Sequence, residues 1–81
     1  RLAAENGYAR AQHNLGYMYV TGQGIIQDDV YAYMWWHIAA LSGDKPSYRN
    51  RELVTKRMTP TQIITAQRLA RECVRKKYKG C

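Results

Sequence analysis

Residues 30–41 read Val-Tyr-Ala-Tyr-Met-Trp-Trp-His-Ile-Ala-Ala-Leu, and eleven of these twelve are apolar or aromatic. Asp28 and Asp29 precede the run and Gly43 follows it. A carboxylate at the start accepts from the free N–H groups of a helix's first turn and meets the positive end of its dipole. A glycine terminates a helix at little cost because it enters the left-handed conformation freely. The stretch is therefore expected to be a helix from about Asp28 to Ser42. A surface helix keeps one polar face, so one that is greasy nearly all round must be covered on more than one side. Stacked helical hairpins supply that cover, each meeting a neighbour before and after it.

Upstream, Tyr8, Ala11, Leu15, Met18 and Tyr19 recur at three- and four-residue steps with no intervening proline, which predicts a helix over Tyr8 to Val20. Gly22 ends it, and a short loop runs from Gly22 to Gln27. Ala3, Ala4 and Gly7 reappear as Ala39, Ala40 and Gly43, an offset of 36 residues. That offset is close to the roughly 34-residue period of helix-turn-helix solenoids. Gly16, Ala32, Ala39 and Ala40 are small enough to let two helices approach closely, with Trp35 and Trp36 supplying the bulk that interdigitates.

Downstream, Asp44 or a neighbour caps and Pro46 opens a third helix expected to run to about Arg57, with Tyr48, Leu53, Val54 and Met58 as its apolar contacts. Thr59-Pro60-Thr61-Gln62 then reads as a capping box with proline in the first turn. In the fourth helix Ile63, Ala66, Ala70, Cys73, Val74 and Lys77 fall on one face, with Leu69 flanking it. Arg68, Arg71, Glu72, Arg75 and Lys76 fall largely on another. One side packs and the other meets solvent, as suits the closing helix of an array.

At 81 residues the chain is one domain at the lower edge of what buries a useful core, which excludes large enzyme folds. The formal charge of +7 is unevenly spread. Residues 1–44 carry two basic side chains against four acidic; residues 45–81 carry eleven against Glu52 and Glu72. Such a field attracts anionic partners, nucleic acid and acidic protein surfaces among them, and also keeps a solvated face soluble. The longest apolar run, Val30 to Trp36, is stopped by His37, far short of the roughly 20 residues a membrane span needs. The chain opens at Arg1 with neither an initiator Met nor a signal peptide, and is expected to be a piece of a longer protein.

These residues carry a family likeness. Ala-Gln-His-Asn-Leu-Gly-Tyr-Met-Tyr from Ala11, then Gly22-Gln23-Gly24, Asp28, Ala32, Trp35 and Ala39-Ala40-x-x-Gly43, resemble one Sel-one-like repeat (SLR), a helix-turn-helix unit related to tetratricopeptide repeats. Ala3 to Gly7 looks like the tail of a preceding repeat. Met58-Thr-Pro-Thr-Gln to Arg71-Glu72 is similar to the helix that often closes such arrays. Two positions depart from the pattern: Tyr31 stands where a Lys is common, and Arg51-Glu52 replaces a Leu-Gly pair, marking the second unit as degenerate. The resemblance implies an all-α, antiparallel helix-turn-helix solenoid (an α/α superhelix) of about four helices. Residues 1–7 end one repeat, 8–43 form a complete one, and 44–81 form a degenerate C-terminal capping pair. It further implies a non-enzymatic, bacterial-type scaffold for protein-protein interaction.

No chemistry-bearing constellation competes with that reading. His13 and His37 have no Cys, Asp or Glu at metal-ligand spacing, and no metal, cofactor or catalytic residue is expected. Ser42 and Ser47 have no nearby base, and Gly22-x-Gly24 is too short for a dinucleotide fingerprint. His37, inside an apolar helix, is expected to be satisfied by a backbone or side-chain partner.

Two surfaces are candidates for a partner. Tyr17, Tyr31, Tyr33 and Trp36 are expected to line a concave aromatic face that anchors another protein or peptide. The alternative is electrostatic: Arg68, Arg71, Arg75 and Lys76, with Lys77 and Lys79, binding nucleic acid or an acidic polymer. An exposed apolar face around Tyr8, Leu15 and the first two helices would favour self-association.

Cys73 and Cys81 admit two readings: a buried thiol with an incidental terminal Cys, or a disulfide stapling the closing helix. The second contributes about 2–3 kcal/mol by loop entropy and needs an oxidising compartment. Secreted, cysteine-rich relatives of the repeat family use this seven-residue spacing for disulfides. That leans the location toward periplasmic or secreted over cytoplasmic without fixing it.

Overall fold

The structure, a computed structural model, describes residues 2–81. It contains α1 (Leu2–Glu5), α2 (Ala9–Thr21), α3 (Asp29–Leu41), α4 (Lys45–Val54), a 3₁₀ turn (Thr55–Arg57) and α5 (Pro60–Arg75), with no strand among the described residues. None of these helices is long and apolar enough to cross a membrane.

The helix boundaries follow from local chemistry. Gly22 ends α2 in the left-handed region at φ 76°, its N–H donating to the Met18 carbonyl. Asp28 caps α3, its Oδ1 accepting from the N–H groups of Val30 and Tyr31 at 2.9 and 3.2 Å. Its own N–H donates to the Tyr19 carbonyl at 2.9 Å, tying the loop back to α2. Asp44 caps α4 by accepting from the Ser47 N–H at 3.1 Å and the Ser47 hydroxyl at 2.6 Å. The Thr59–Gln62 capping box opens α5, with reciprocal bonds of 3.1 and 2.9 Å. The third helix was expected to reach Arg57. It stops at Val54, and the last three residues tighten into a 3₁₀ turn, a common way for a helix to end before a cap-proline start such as Thr59-Pro60.

Helix α3 is the middle layer: α2, α4 and α5 all pack against it. This is the cover that its apolar circumference requires. One side of it, Met34, Trp35 and Ile38, meets Ala4, Leu15, Ala70 and Cys73. Another, Ala32, Tyr33 and Trp36, meets Val54, Met58 and Ala66. Each large side chain sealed this way contributes about 1.5–3 kcal/mol by leaving water. Helix α1 is docked on α2 by a buried bond from Gln12 Nε2 to the Ala4 carbonyl, 3.1 Å.

Several expected facings are corrected. Leu15 is buried beneath α3 and the C-terminal elements, so it is not part of an exposed apolar face; Tyr8 is exposed. On α4, Val54 packs, whereas Tyr48 and Leu53 face solvent, because α3 covers only one stripe of that helix. On α5, Ala66, Ala70 and Cys73 pack as expected, but Val74 is 40% exposed. Lys77 lies beyond the helix end in the left-handed region and is exposed.

The tail then folds back. Lys77 and Tyr78 both have positive φ, 54° and 67°, which reverses the chain. Cys73 and Cys81 are joined, with Cα atoms 5.7 Å apart. The Tyr78 ring presses on Gly7, where an added Cβ would lie 3.1 Å from it, and Lys79 Nζ donates to Asn6 Oδ1 at 3.3 Å. The two ends therefore meet. The result is nearly isometric, 29 × 25 × 23 Å, with a Cα radius of gyration of 11.1 Å.

Candidate interaction surface

The aromatic residues do not gather on one face. Trp36 is 3% exposed and Tyr33 4%, so both are core residues and neither lines a partner surface. The reason is tertiary. The Trp36 indole lies against Gly16 and donates to the His13 carbonyl at 3.0 Å. Tyr33 stacks on His37 at 5.8 Å between centroids and accepts from Gln67 Nε2 at 3.2 Å. Tyr31 is half-buried and stacks on Tyr19 at 5.5 Å. Only Tyr17 of the four is well exposed, at 52%, and it stands on α2.

The basic residues behave differently. Arg68, Arg71, Arg75 and Lys76 are all exposed at the surface of α5 and its C-cap. Arg68 is paired with Glu72 on its own helix at 3.1 Å. The side chains of Arg71, Arg75 and Lys76 have no hydrogen-bond or ion-pair partner among the described residues. Elsewhere Arg57 meets Asp29 at 2.6 Å, clamping the 3₁₀ turn to the start of α3, and Arg51 meets Glu52 at 3.1 Å.

His37 sits where these two sets of residues meet. It is half-buried, and Arg51 Nη1 lies 2.9 Å from its Nδ1. A guanidinium can only donate, so Nδ1 accepts and the ring of a neutral His37 carries its proton on Nε2. Burial foremost, then the charges of Arg51 and Arg71, hold the imidazole below its ordinary value of 6.5. His37 is thus a neutral, oriented ring between two cations. His13 is held by different partners: its Nε2 is 3.2 Å from Asn50 Nδ2, and its ring is 6.4 Å from Trp36. The two histidines do not converge, and among the described residues no three His, Cys, Asp or Glu side chains are placed to hold a metal ion.

The cluster of His37, Arg51 and Arg71 was not foreseen from the sequence. The only signal available was that a lone polar residue in an apolar run needs a partner, and that signal names neither Arg51 nor Arg71.

Residues 9–44 match the family model described as Sel1 repeat. The match spans α2, the Gly22–Gln27 loop, α3 and the Asp44 cap, and ends where α4 begins. No curated protein matches the chain.

Proposed function

We propose that this chain, which belongs to the Sel1-like repeat family through residues 9–44, is a protein-interaction module that holds an acidic segment of its partner on the basic surface of α5. Sel1 repeats typically mediate protein-protein contacts and are generally non-catalytic scaffolds. The observation that carries the finer reading is the contrast between the two candidate surfaces. Arg71, Arg75 and Lys76 are exposed and unpaired, whereas Tyr33 and Trp36 are consumed by the core. Unpaired surface cations steer an anionic partner and select it over neutral ones. Residues 44–81 act in this reading as a capping pair that both closes the repeat and carries the binding charge. The Cys73–Cys81 bond supports an oxidising, periplasmic or secreted, setting for a bacterial-type scaffold.

The test is fluorescence anisotropy with a fluorescein-labelled oligoglutamate. Binding should weaken steeply with added salt and fall about tenfold or more when Arg71, Arg75 and Lys76 are all replaced by Ala. Replacing Tyr17 by Ala should leave it unchanged. Equal binding by wild type and the triple variant would remove this reading. A single-stranded oligonucleotide of matched charge that binds far more tightly than the peptide would replace it with nucleic-acid recognition.

A further inference from the structure

Between α3 and α5 runs a groove of about 190 Å³, lined by His37 and Leu41 from one helix and Ala70, Arg71 and Val74 from the other. His37 and Leu41 are four residues apart, as are Ala70 and Val74, so each helix presents one axial stripe and the slot lies between the two. Ala70, almost fully buried, forms its floor. Leu41, at 67% exposure, and Val74, at 40%, form its rims and remain in water.

The lining is apolar and cationic with no acid in it. Arg71 reaches the groove without a partner of its own, while Arg51 is committed to His37 and Glu52. Neutral His37 adds a donor and no charge of its own. One face of its ring is stacked on Tyr33, and no Tyr or Trp lines the slot. A nucleobase therefore finds no Tyr or Trp platform to stack on, whereas a carboxylate finds a guanidinium and an aliphatic side chain finds Leu41 and Val74.

We propose that this groove is the recognition site for a carboxylate adjacent to an aliphatic side chain on an acidic amphipathic segment of a partner protein. Arg71 meets the carboxylate, and Leu41 and Val74 enclose the aliphatic group. The proposal rests on the basic surface of α5 being the partner surface and says where on it the specificity lies. Arg75 and Lys76 then attract the segment, and the groove reads it.

The experiment compares two fluorescein-labelled probes, an alternating Leu-Glu peptide and an oligoglutamate of equal charge, on wild type and on Arg71→Gln, Leu41→Ser and Arg49→Gln. All three positions are solvent-facing or charged surface positions, and unchanged helicity and melting confirm folding. The Leu-Glu peptide should bind about tenfold more tightly than oligoglutamate. Both Arg71→Gln and Leu41→Ser should abolish that preference, and Arg49→Gln, on the outside of α4, should leave it intact. In the wild-type protein, adding the Leu-Glu peptide should shift the His37 ring resonances and leave those of His13 in place. Equal affinity for both probes, equal loss in Arg71→Gln and Arg49→Gln, or an unmoved His37 would overturn the groove while leaving the basic surface as the binding region. Binding of neither probe would overturn both.

Discussion

The indole of Trp36 lies directly over the backbone of Gly16, so close that a Cβ at residue 16 would stand 2.6 Å from its Nε1 and 2.7 Å from its Cδ1. That approach brings α2 and α3 together and lets the indole N–H reach the His13 carbonyl at 3.0 Å. Gly16 is helical and not left-handed, so it is required for space and not for backbone conformation.

Gly16→Ala accordingly sets two effects against each other. Alanine gains about 1 kcal/mol of helix propensity. Overpacking against a buried ring costs about 1–3 kcal/mol, and the displaced indole also loses its hydrogen bond. The expected net loss is about 1–2 kcal/mol in urea unfolding, partly recovered in a Gly16→Ala/Trp36→Phe double variant. A Gly16→Ala protein as stable as wild type would contradict this packing.

The aromatic residues should separate by burial. Trp36→Ala is expected to cost about 3–5 kcal/mol and, for so small a domain, to leave little folded protein. Tyr17→Ala, at an exposed position, should stay within about 0.5 kcal/mol of wild type. Thermal melting followed by circular dichroism distinguishes the two, and similar melting temperatures would refute the assignment of Trp36 to the core.

Reduction of Cys73–Cys81 should remove about 2–3 kcal/mol of loop-entropy stabilisation. It also releases the turn at Lys77 and Tyr78, whose left-handed conformations each cost about 1–2 kcal/mol. The Tyr78 cover over Gly7 is expected to detach, so amide exchange in α1 and early α2 should quicken more than in α3. Cys81→Ser should match reduced wild type and show no further response to reductant. Identical melting with and without reductant would argue against any stabilising role for the bond.

His37 gives a pH dependence of definite sign. Its folded value lies below 6.5, so between the two values the unfolded chain binds the extra proton. Stability from this group is complete above 6.5 and is lost as the pH falls through the folded value. Protonation also places a hydrogen on Nδ1, opposing the Arg51 donor. Burial is the main cause and the charges of Arg51 and Arg71 add to it, so Arg71→Gln should lessen the acid sensitivity in part and His37→Gln should remove it. A stability that rises on acidification over that range would reverse the assignment.

Removing the cap at Asp28 tests the start of the central helix. Asp28→Ala gives up two accepted N–H bonds and is expected to cost about 1 kcal/mol. Asp28→Asn, which keeps an acceptor oxygen, should recover most of it. Indistinguishable stabilities for the two variants would rule out the side-chain cap.

What could be read along the chain was whatever is decided within a few residues of itself. The caps at Asp28, Asp44 and Thr59, the capping-box Gln62 and the left-handed Gly22 act on backbone groups two to four positions away, and each stands where its sequence context places it. The all-helical repeat was legible for a related reason: the greasy circumference of α3 demands cover on several sides, whichever residues provide it.

The facing of individual side chains was a different matter. Composition makes Tyr17 and Trp36 alike, and only the packing of Gly16 beneath the indole and of Val54, Met58 and Ala66 around it decides that Trp36 is sealed while Tyr17 is not. Nor does any local pattern bring Tyr78 to Gly7, or Arg51 and Arg71 to His37; these are meetings between residues 14 to 71 positions apart. Short-range hydrogen bonding and hydrophobic period act through the nearest turns of backbone, so the linear order of residues alone determines the helices, their capped starts and the need to stack them. Which aromatic rings are spent on the core, where the tail closes and where unpaired cations border an apolar slot depend on how whole helices shut one another off from water, and only the packed structure decides that.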